Sequence, residues 1–469
     1  MANELCFVPA TELREMIRTR KLSPVELLEA VLERCEEVEP KIHAFVTIDE
    51  AGARAAAKAA EDAVMRGDEL GPLHGIPVSI KDLFATAGMR TTYGSKFYEH
   101  FVPDYDAVAV ERIRRAGGII FGKTNTPAFG HKDTCDNLIM PATRNPWKLD
   151  RTSGASSGGA GAAVAAGEGP LALGSDGAGS IRIPAALCGI YGMKPSLGRV
   201  PFWPSQDYWT TRSHIGPMTR TVRDAALLLS VMAGPERRDP ISIDAEPEDY
   251  LAACGGDLRG LRVAWSADLG YAPVDPEVRA LTEAAARRFE DFGCDVVEAN
   301  PAWDNPAEWH ATLYRAGIAA KYGDQAESRP EWVDPSLARL IELGKQITTT
   351  QLMNALTERA KFYDQAREFM DQFDLLLTPA MPCGAWRYDG QPGEIEGTMI
   401  QETPGGRWAL MFPWNVTGWP AASVPCGLTS EGLPVGLQII APWHQDALCL
   451  RASAAFEAAQ PWAHLIPPV

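Results

Sequence analysis

The spacing of apolar positions divides this chain of 469 residues into a long series of helical and extended segments. Leu27, Leu28, Val31, Leu32 and Cys35 share one helical face, which predicts an amphipathic helix. Ser23-Pro24-Val25-Glu26 marks its start: a capping box with proline at the first helical position. A short helix is predicted over residues 11–20. An alanine-rich one follows over residues 50–66 and stops at Gly67. Ile76, Val78 and Ile80 lie in a short apolar run that reads as a strand, with Lys81 at its end. Residues 107–116 predict a helix and Ile119-Ile120-Phe121 a buried strand. Residues 221–233 return to a helix, and residues 234–256, rich in acids with three prolines, read as a linker. A strand at residues 261–265 follows. Asp275-Pro276 then caps a helix with Val278, Leu281, Ala285, Phe289 and Phe292 on one face. A strand at residues 294–297 completes a βαβ-like unit. Residues 300–374 are mainly helical. Strands at 375–377 and 436–440 and a helix at 448–459 close the chain.

One stretch breaks this ordinary patterning. Residues 151–195 read RTSGASSGGAGAAVAAGEGPLALGSDGAGSIRIPAALCGIYGMKP. Two glycine turns carry serine: Gly154-Ala155-Ser156-Ser157-Gly158-Gly159 and Gly177-Ala178-Gly179-Ser180. Between them lie a helix of very small residues and the apolar strand PLALG. Glycine admits close backbone approach and positive φ. Two readings follow. The turns hold a nucleophile with backbone N–H groups aimed at a developing oxyanion, or small residues let a helix pack tightly on a sheet.

Composition narrows the function classes. A net charge of −17 disfavours nucleic acid as a partner. No apolar run is long enough to span a bilayer, and no secretory signal pattern opens the chain. Nine scattered cysteines without a CxxC pair fit free thiols in a cytoplasmic protein. Eight histidines show no HExxH and no clustered spacing, so no metal is expected; no cofactor is expected either. Gly117 to Thr124 matches the phosphate-loop pattern GxxxxGK[ST]. Here, however, a helix precedes the match, a strand fills its middle, and Asn125-Thr126-Pro127 blocks a helix after it. The nucleotide-binding reading is therefore rejected on context.

The long stretch resembles the signature of the amidase signature hydrolases. The resemblance rests on residues 154–159, Gly174-Ser175-Asp176, Gly179-Ser180-Ile181-Arg182, Pro184-Ala185 and Gly192-Met193-Lys194-Pro195. It extends to residues 71–78, Lys81-Asp82, Leu377-Thr378-Pro379, Gly418-Trp419-Pro420 and residues 432–438. The resemblance implies an α/β amidase signature fold, a large mixed twisted sheet covered by helices on both faces. It implies one amidase domain over residues 1–469. Within it lie an N-terminal helical cover (1–67), a catalytic core (68–235), an insertion shaping substrate entry (257–374) and a return to the core sheet (375–469).

The resemblance also implies a triad, with Ser180 as nucleophile, Ser156 as bridging serine after a cis peptide bond, and Lys81 as base. The N–H groups of Gly177, Ala178, Gly179 and Ser180 would form the oxyanion hole. Ser157, Asp176 and Arg182 would support the site, and Asp82 a structural network. Ala155 and Ala178 stand where the family usually has glycine, and Ala128 where it often has an acid.

The implied activity is hydrolysis of the C–N bond of small-molecule amides, with esters and carbamates (urethanes) as related carbonyls. Aromatics in residues 202–209 and 408–419 point to a bulky or aromatic substrate, and residues 384–406 read as a lid-length loop. The alternative within the family is the glutaminase (A-type) component of a tRNA-dependent amidotransferase. Ile183, where that component usually has glutamine, and the acidic balance weigh against it. A homodimer is the base-rate expectation for assembly.

Overall fold

The computed structural model describes residues 2–208 and 210–469. Eleven strands form one mixed sheet: β1 (Phe45–Ile48), β2 (Pro77–Lys81), β3 (Ile119–Thr124), β4 (Leu171–Asp176), β5 (Tyr191–Lys194), β6 (His214–Thr219), β7 (Arg262–Trp265), β8 (Asp295–Glu298), β9 (Leu375–Pro379), β10 (Ala421–Leu428) and β11 (Pro434–Ile440). Their order across the sheet is β1-β3-β2-β4-β6-β5-β10-β11-β9-β7-β8. β2 runs parallel to both β3 and β4. The centre is antiparallel from β4 to β9, and β7 and β8 add in parallel beyond β9.

The alternation of side chains across the pleat explains the two cores. Leu171 and Leu173 of β4 enter one cluster, with Val78 and Ile80 of β2. Ala172 between them enters a second, on the other face, with Ile119 and Phe121 of β3. Helices α1 (Pro24–Ile42) and α2 (Glu50–Arg66) cover that second face. The Ser23 capping box forms as expected, and Gly67 ends α2 with a positive φ of 78°.

Two central helices consist almost entirely of buried residues: α3 (Gly158–Ala166) and α4 (Arg182–Cys188). Glycine at 159 is required by proximity, since a Cβ there would sit 2.4 Å from both Ala44 O and Asn125 N. The small-residue stretch is thus a tight packing device. It also carries the two serine-bearing turns, so the two readings of it are compatible.

The phosphate-loop match runs into β3, which takes up its residues 119–124, and no helix opens at Lys123-Thr124. Lys123 is fully buried and donates to Phe84 O, Thr86 Oγ1 (3.0 Å) and Thr91 Oγ1 (2.8 Å), with Asp82 3.6 Å away. Asp82 in turn accepts from Thr92 N at 2.9 Å.

The βαβ-like unit does not stand alone: β7 pairs directly with β9, and helix α5 (Pro276–Asp291) packs on that end of the sheet. What projects from the core is a helical layer of α6 (Ala307–Ser328), α7 (Pro335–Lys345) and α8 (Thr349–Met370). Among the described residues, no helix is long and apolar enough to cross a membrane.

Candidate active site

Lys81 ends β2, which places its side chain beside Ser175 near the end of the parallel neighbour β4. Its Nζ lies 2.7 Å from Ser156 Oγ, 2.9 Å from Ser157 Oγ, 3.0 Å from Ser175 Oγ and 3.4 Å from Ser175 O. Among the described residues no carboxylate forms an ion pair with it, and the side chain is completely buried. Burial pushes the amine down to about 7, against weaker opposing effects of Cys135 and Asp176. The neutral form is therefore accessible near neutral pH.

Ser156 lies in the loop leading into α3, after a cis Ala155-Ser156 peptide bond. Ser157 caps the helix and ties the two serine turns together: its N–H donates to Ser180 O at 3.0 Å. Ser180 sits between β4 and α4, partly exposed to a cavity of about 690 Å³. Ser156, Ser175, Gly177 and Ala178 line the same cavity.

The turn that presents Ser180 is held by a buried ion pair. Arg182 Nε and Nη2 reach Asp176 Oδ2 and Oδ1 at 2.9 and 3.0 Å. Asn415 Nδ2 donates to the same carboxylate at 2.8 Å. Arg182 is further satisfied by Met411 O (3.0 Å), Gln438 Oε1 (2.6 Å) and Asn415 Oδ1 (2.7 Å). Burial alone would raise the Asp176 carboxyl, but the Arg182 guanidinium overrides it and holds it well below the usual carboxylate range.

The same carboxylate corrects one expectation. Gly179 N–H donates to Asp176 Oδ1 at 2.6 Å, so it is committed to the turn rather than open to a ligand. Among the described residues, the N–H groups of Gly177, Ala178 and Ser180 have no protein acceptor. Neither Ala155 nor Ala178 adopts positive φ, so the backbone does not require glycine at either position; the left-handed residues of the two turns are Gly154 and Gly179. A Cβ at Gly179, where φ is 112°, would also lie 2.8 Å from Met411 Cβ and 2.9 Å from Ile183 Cδ1. Gly179→Ala is expected to lose roughly 1–3 kcal/mol of stability through backbone strain, and to lower kcat because the displaced turn carries Ser180. Urea unfolding and initial rates check both.

The helical layer supplies the opposite wall of the cavity, through Tyr314, Ile318, Lys321 and Tyr322 of α6 and Leu352 and Leu356 of α8. Aromatic lining comes from Phe129, Tyr314, Tyr322 and Trp408. Phe129 stacks on Tyr322 with ring centroids 4.0 Å apart. The expectation for the aromatics of residues 202–209 is corrected at Phe202 and Trp203, although the segment itself borders the cavity. Phe202 packs on Phe84 and Trp203 on Tyr105, while the segment presents Gln206 and Asp207 to the cavity instead. Trp209 lies outside the described residues. Trp414 and Trp419 belong to the core, leaving Trp408 as the cavity-lining tryptophan of its segment. Ala128, where an acid is usual, packs with Ile318, Leu337 and Ile341. Sequence reasoning missed Ser175, Asn415 and the charged residues Arg212 and Lys321. The Gly174-Ser175-Asp176 motif was itself the available signal for Ser175.

A family model for amidases matches residues 26–450. The chain belongs to the amidase family. It is 42% identical to an acylamidase of Rhodococcus erythropolis over 468 residues, covering 99% of this chain and 98% of that protein. It is 38% identical over 483 residues to the A component of the glutamyl-tRNA(Gln) amidotransferase of Roseiflexus castenholzii, covering 97% and 96%. The fold superposes on a bacterial aryl acylamidase of the amidase signature family with a TM-score of 0.91, at 32% identity over 97% of each chain. A 6-aminohexanoate cyclic dimer hydrolase gives 0.90, at 31% identity over 99% of each. This amidase thus shares the fold of these proteins, and its family and its similarity to an acylamidase support an amide-hydrolysing enzyme.

Proposed function

We propose that this amidase hydrolyses small-molecule amides, aryl acylamides among them, through an acyl-enzyme on Ser180. The observation that carries the reading is Lys81: a completely buried amine with no carboxylate partner among the described residues, 2.7 Å from Ser156 Oγ. Neutral Lys81 takes a proton from Ser156 as Ser156 takes one from Ser180, and Ser180 Oγ attacks the carbonyl carbon. The N–H groups of Gly177, Ala178 and Ser180 receive the oxyanion, each worth about 3–4 kcal/mol in the transition state. The relay reverses to protonate the departing amine. Water, deprotonated by the same relay, then cleaves the acyl-enzyme. Ser157 and Ser175 orient the lysine amine from the far side. The aromatic wall of Phe129, Tyr322 and Trp408 suits an aryl substituent, and the resemblance to acylamidases by name supports the same substrate class. Esters and carbamates present the same carbonyl to the same atoms and are side substrates of this reading.

The test is release of arylamine from an acyl-anilide and from an aryl carbamate by the chain alone, without accessory proteins. Turnover by the isolated chain is expected, with the anilide preferred. Glutamine hydrolysis that needs partner proteins, with no anilide turnover, would favour the amidotransferase reading instead. The pH profile is a second check. Because the active amine is the deprotonated one, kcat/KM should rise with pH through about 7 and level off above it. A flat profile from about pH 5.5 to 8.5 contradicts the assignment of Lys81 as base.

A further inference from the structure

The charged groups around the cavity are paired, with one exception. Lys132 contacts Asp136 at 2.6 Å and Asp334 at 2.9 Å. Asp133 is held by Arg407 and by Trp408 Nε1. Asp207 accepts from Thr210 N and Oγ1 at 2.9 and 2.7 Å and faces Lys321 at 3.9 Å. Arg212, in the segment entering β6, has no carboxylate within ion-pair distance among the described residues. Its Nη1 is shielded from solvent and has no hydrogen-bond acceptor. The ring of Tyr314 lies against its guanidinium, with Cζ 5.6 Å from the centroid.

The position of this cation is set by the catalytic turn itself. Asn415 Nδ2, which holds Asp176, lies 3.3 Å from Arg212 O, and His214 Nδ1 is 2.8 Å from the same oxygen. Behind it Arg359 donates to Val416 O, Thr210 O and Thr211 O. Among the described residues, Arg212, Lys321 and Arg359 face one nearby carboxylate, Asp207. Burial, with the nearby Arg359 charge, pushes the Arg212 guanidinium down to about 10, so it remains cationic at neutral pH. A shielded guanidinium N–H without an acceptor is costly, and a ligand carboxylate is the group that matches the fork of donors.

We propose that Arg212 is a specificity-determining residue, which selects amides carrying a carboxylate by taking that carboxylate in the cavity that Ser180 also lines. The inference rests on the amide-hydrolase reading above and adds the substrate's charge to it. The neighbouring aromatic rings then hold the body of a flat, anionic acyl-arylamide, while Lys321 adds long-range attraction from α6.

The experiment compares 4-acetamidobenzoate with its neutral carboxamide analogue. The quantity read is the ratio of their kcat/KM values in wild type, Arg212→Gln and Arg212→Lys. The ratio is expected to favour the carboxylate by tenfold or more in wild type, to fall at least tenfold in Arg212→Gln, and to recover partly in Arg212→Lys. An equal ratio in wild type and Arg212→Gln overturns the proposal. Calorimetric binding of both compounds to Ser180→Ala, with and without Arg212→Gln, separates this from the hydrolase reading. If neither compound is turned over, the aryl-amide assignment fails while the binding preference still decides the role of Arg212. Carboxylate binding that is absent, or unaffected by Arg212→Gln, overturns it.

Discussion

Lys81→Met is expected to lower kcat by about 10⁴-fold or more while leaving the stability to urea unchanged or slightly raised. Ser180→Ala should match it in rate. The separation of activity from stability follows from the surroundings of the amine. Lys81 is buried without a counter-ion among the described residues, so folding carries an amine into the interior with only serine oxygens for compensation. Methionine has nearly the same length and no charge to bury, which removes that cost.

Lys123 is the control. It too is completely buried, but it sits 3.6 Å from buried Asp82 and bridges Phe84, Thr86 and Thr91. Lys123→Met leaves Asp82 uncompensated, and about 3–5 kcal/mol of stability should be lost. The two variants therefore fail in different ways. Equal destabilisation of both, or near-normal turnover by Lys81→Met, contradicts the division between a chemical and a structural lysine. Rate assays with an acyl-anilide and urea unfolding of the same preparations provide the measurement.

The parts of the site that are legible in the sequence are those encoded over short distances. Ser156, Ser157, Asp176, Ser180 and Arg182 lie within one stretch whose glycines and alanines already demand close packing. Lys81 closes a five-residue apolar strand, and its position at a strand end follows from the local pattern. Three further features depend on contacts that no local pattern carries. β9 pairs with β7, more than a hundred residues earlier in the chain, so the βαβ-like unit can be placed on the sheet only from the fold. The wall facing Ser180 comes from α6 and α8, where Tyr314 and Ile318 carry no motif and are half or more buried by tertiary packing alone. The aromatic-rich segment after Pro201 defeats a sequence reading because it is irregular. Without a periodic backbone there is no rule for which side chains turn inward, and Gln206 and Asp207 do so while Phe202 turns to Phe84. The Gly179 donor escapes for a related reason. Asp176 folds over the turn to take it, a side-chain-to-backbone bond that a glycine-rich motif does not reveal.

Asp176→Asn should produce the largest loss of stability among single substitutions near the turn, about 3–5 kcal/mol at pH 7. The carboxylate accepts from Gly179 N (2.6 Å), Ile181 N (3.2 Å), Arg182 Nε and Nη2, and Asn415 Nδ2. An amide in its place turns an NH₂ group towards donors and leaves the buried Arg182 guanidinium without its counter-charge. The sign of the pH dependence is fixed by the direction of the Asp176 shift. Its folded pKa lies below the unfolded value, so its contribution is fully present above about pH 4 and is lost as pH falls through the folded pKa. The deficit of Asp176→Asn relative to wild type should therefore be constant from about pH 5 to 8 and shrink only in strong acid. Arg182→Met alone should cost a similar amount, since it leaves Asp176 as the unpaired charge. The double variant should cost clearly less than the two singles together, because neither charge is then stranded. A strictly additive double variant, or a single-variant loss under about 1 kcal/mol, contradicts the ion pair as the element that fixes the turn. Activity reports on the same structure from the other side. Releasing Asp176 from Gly179 N–H frees the backbone that aims the Gly177, Ala178 and Ser180 donors. Asp176→Asn should then lose kcat even under conditions where it remains fully folded.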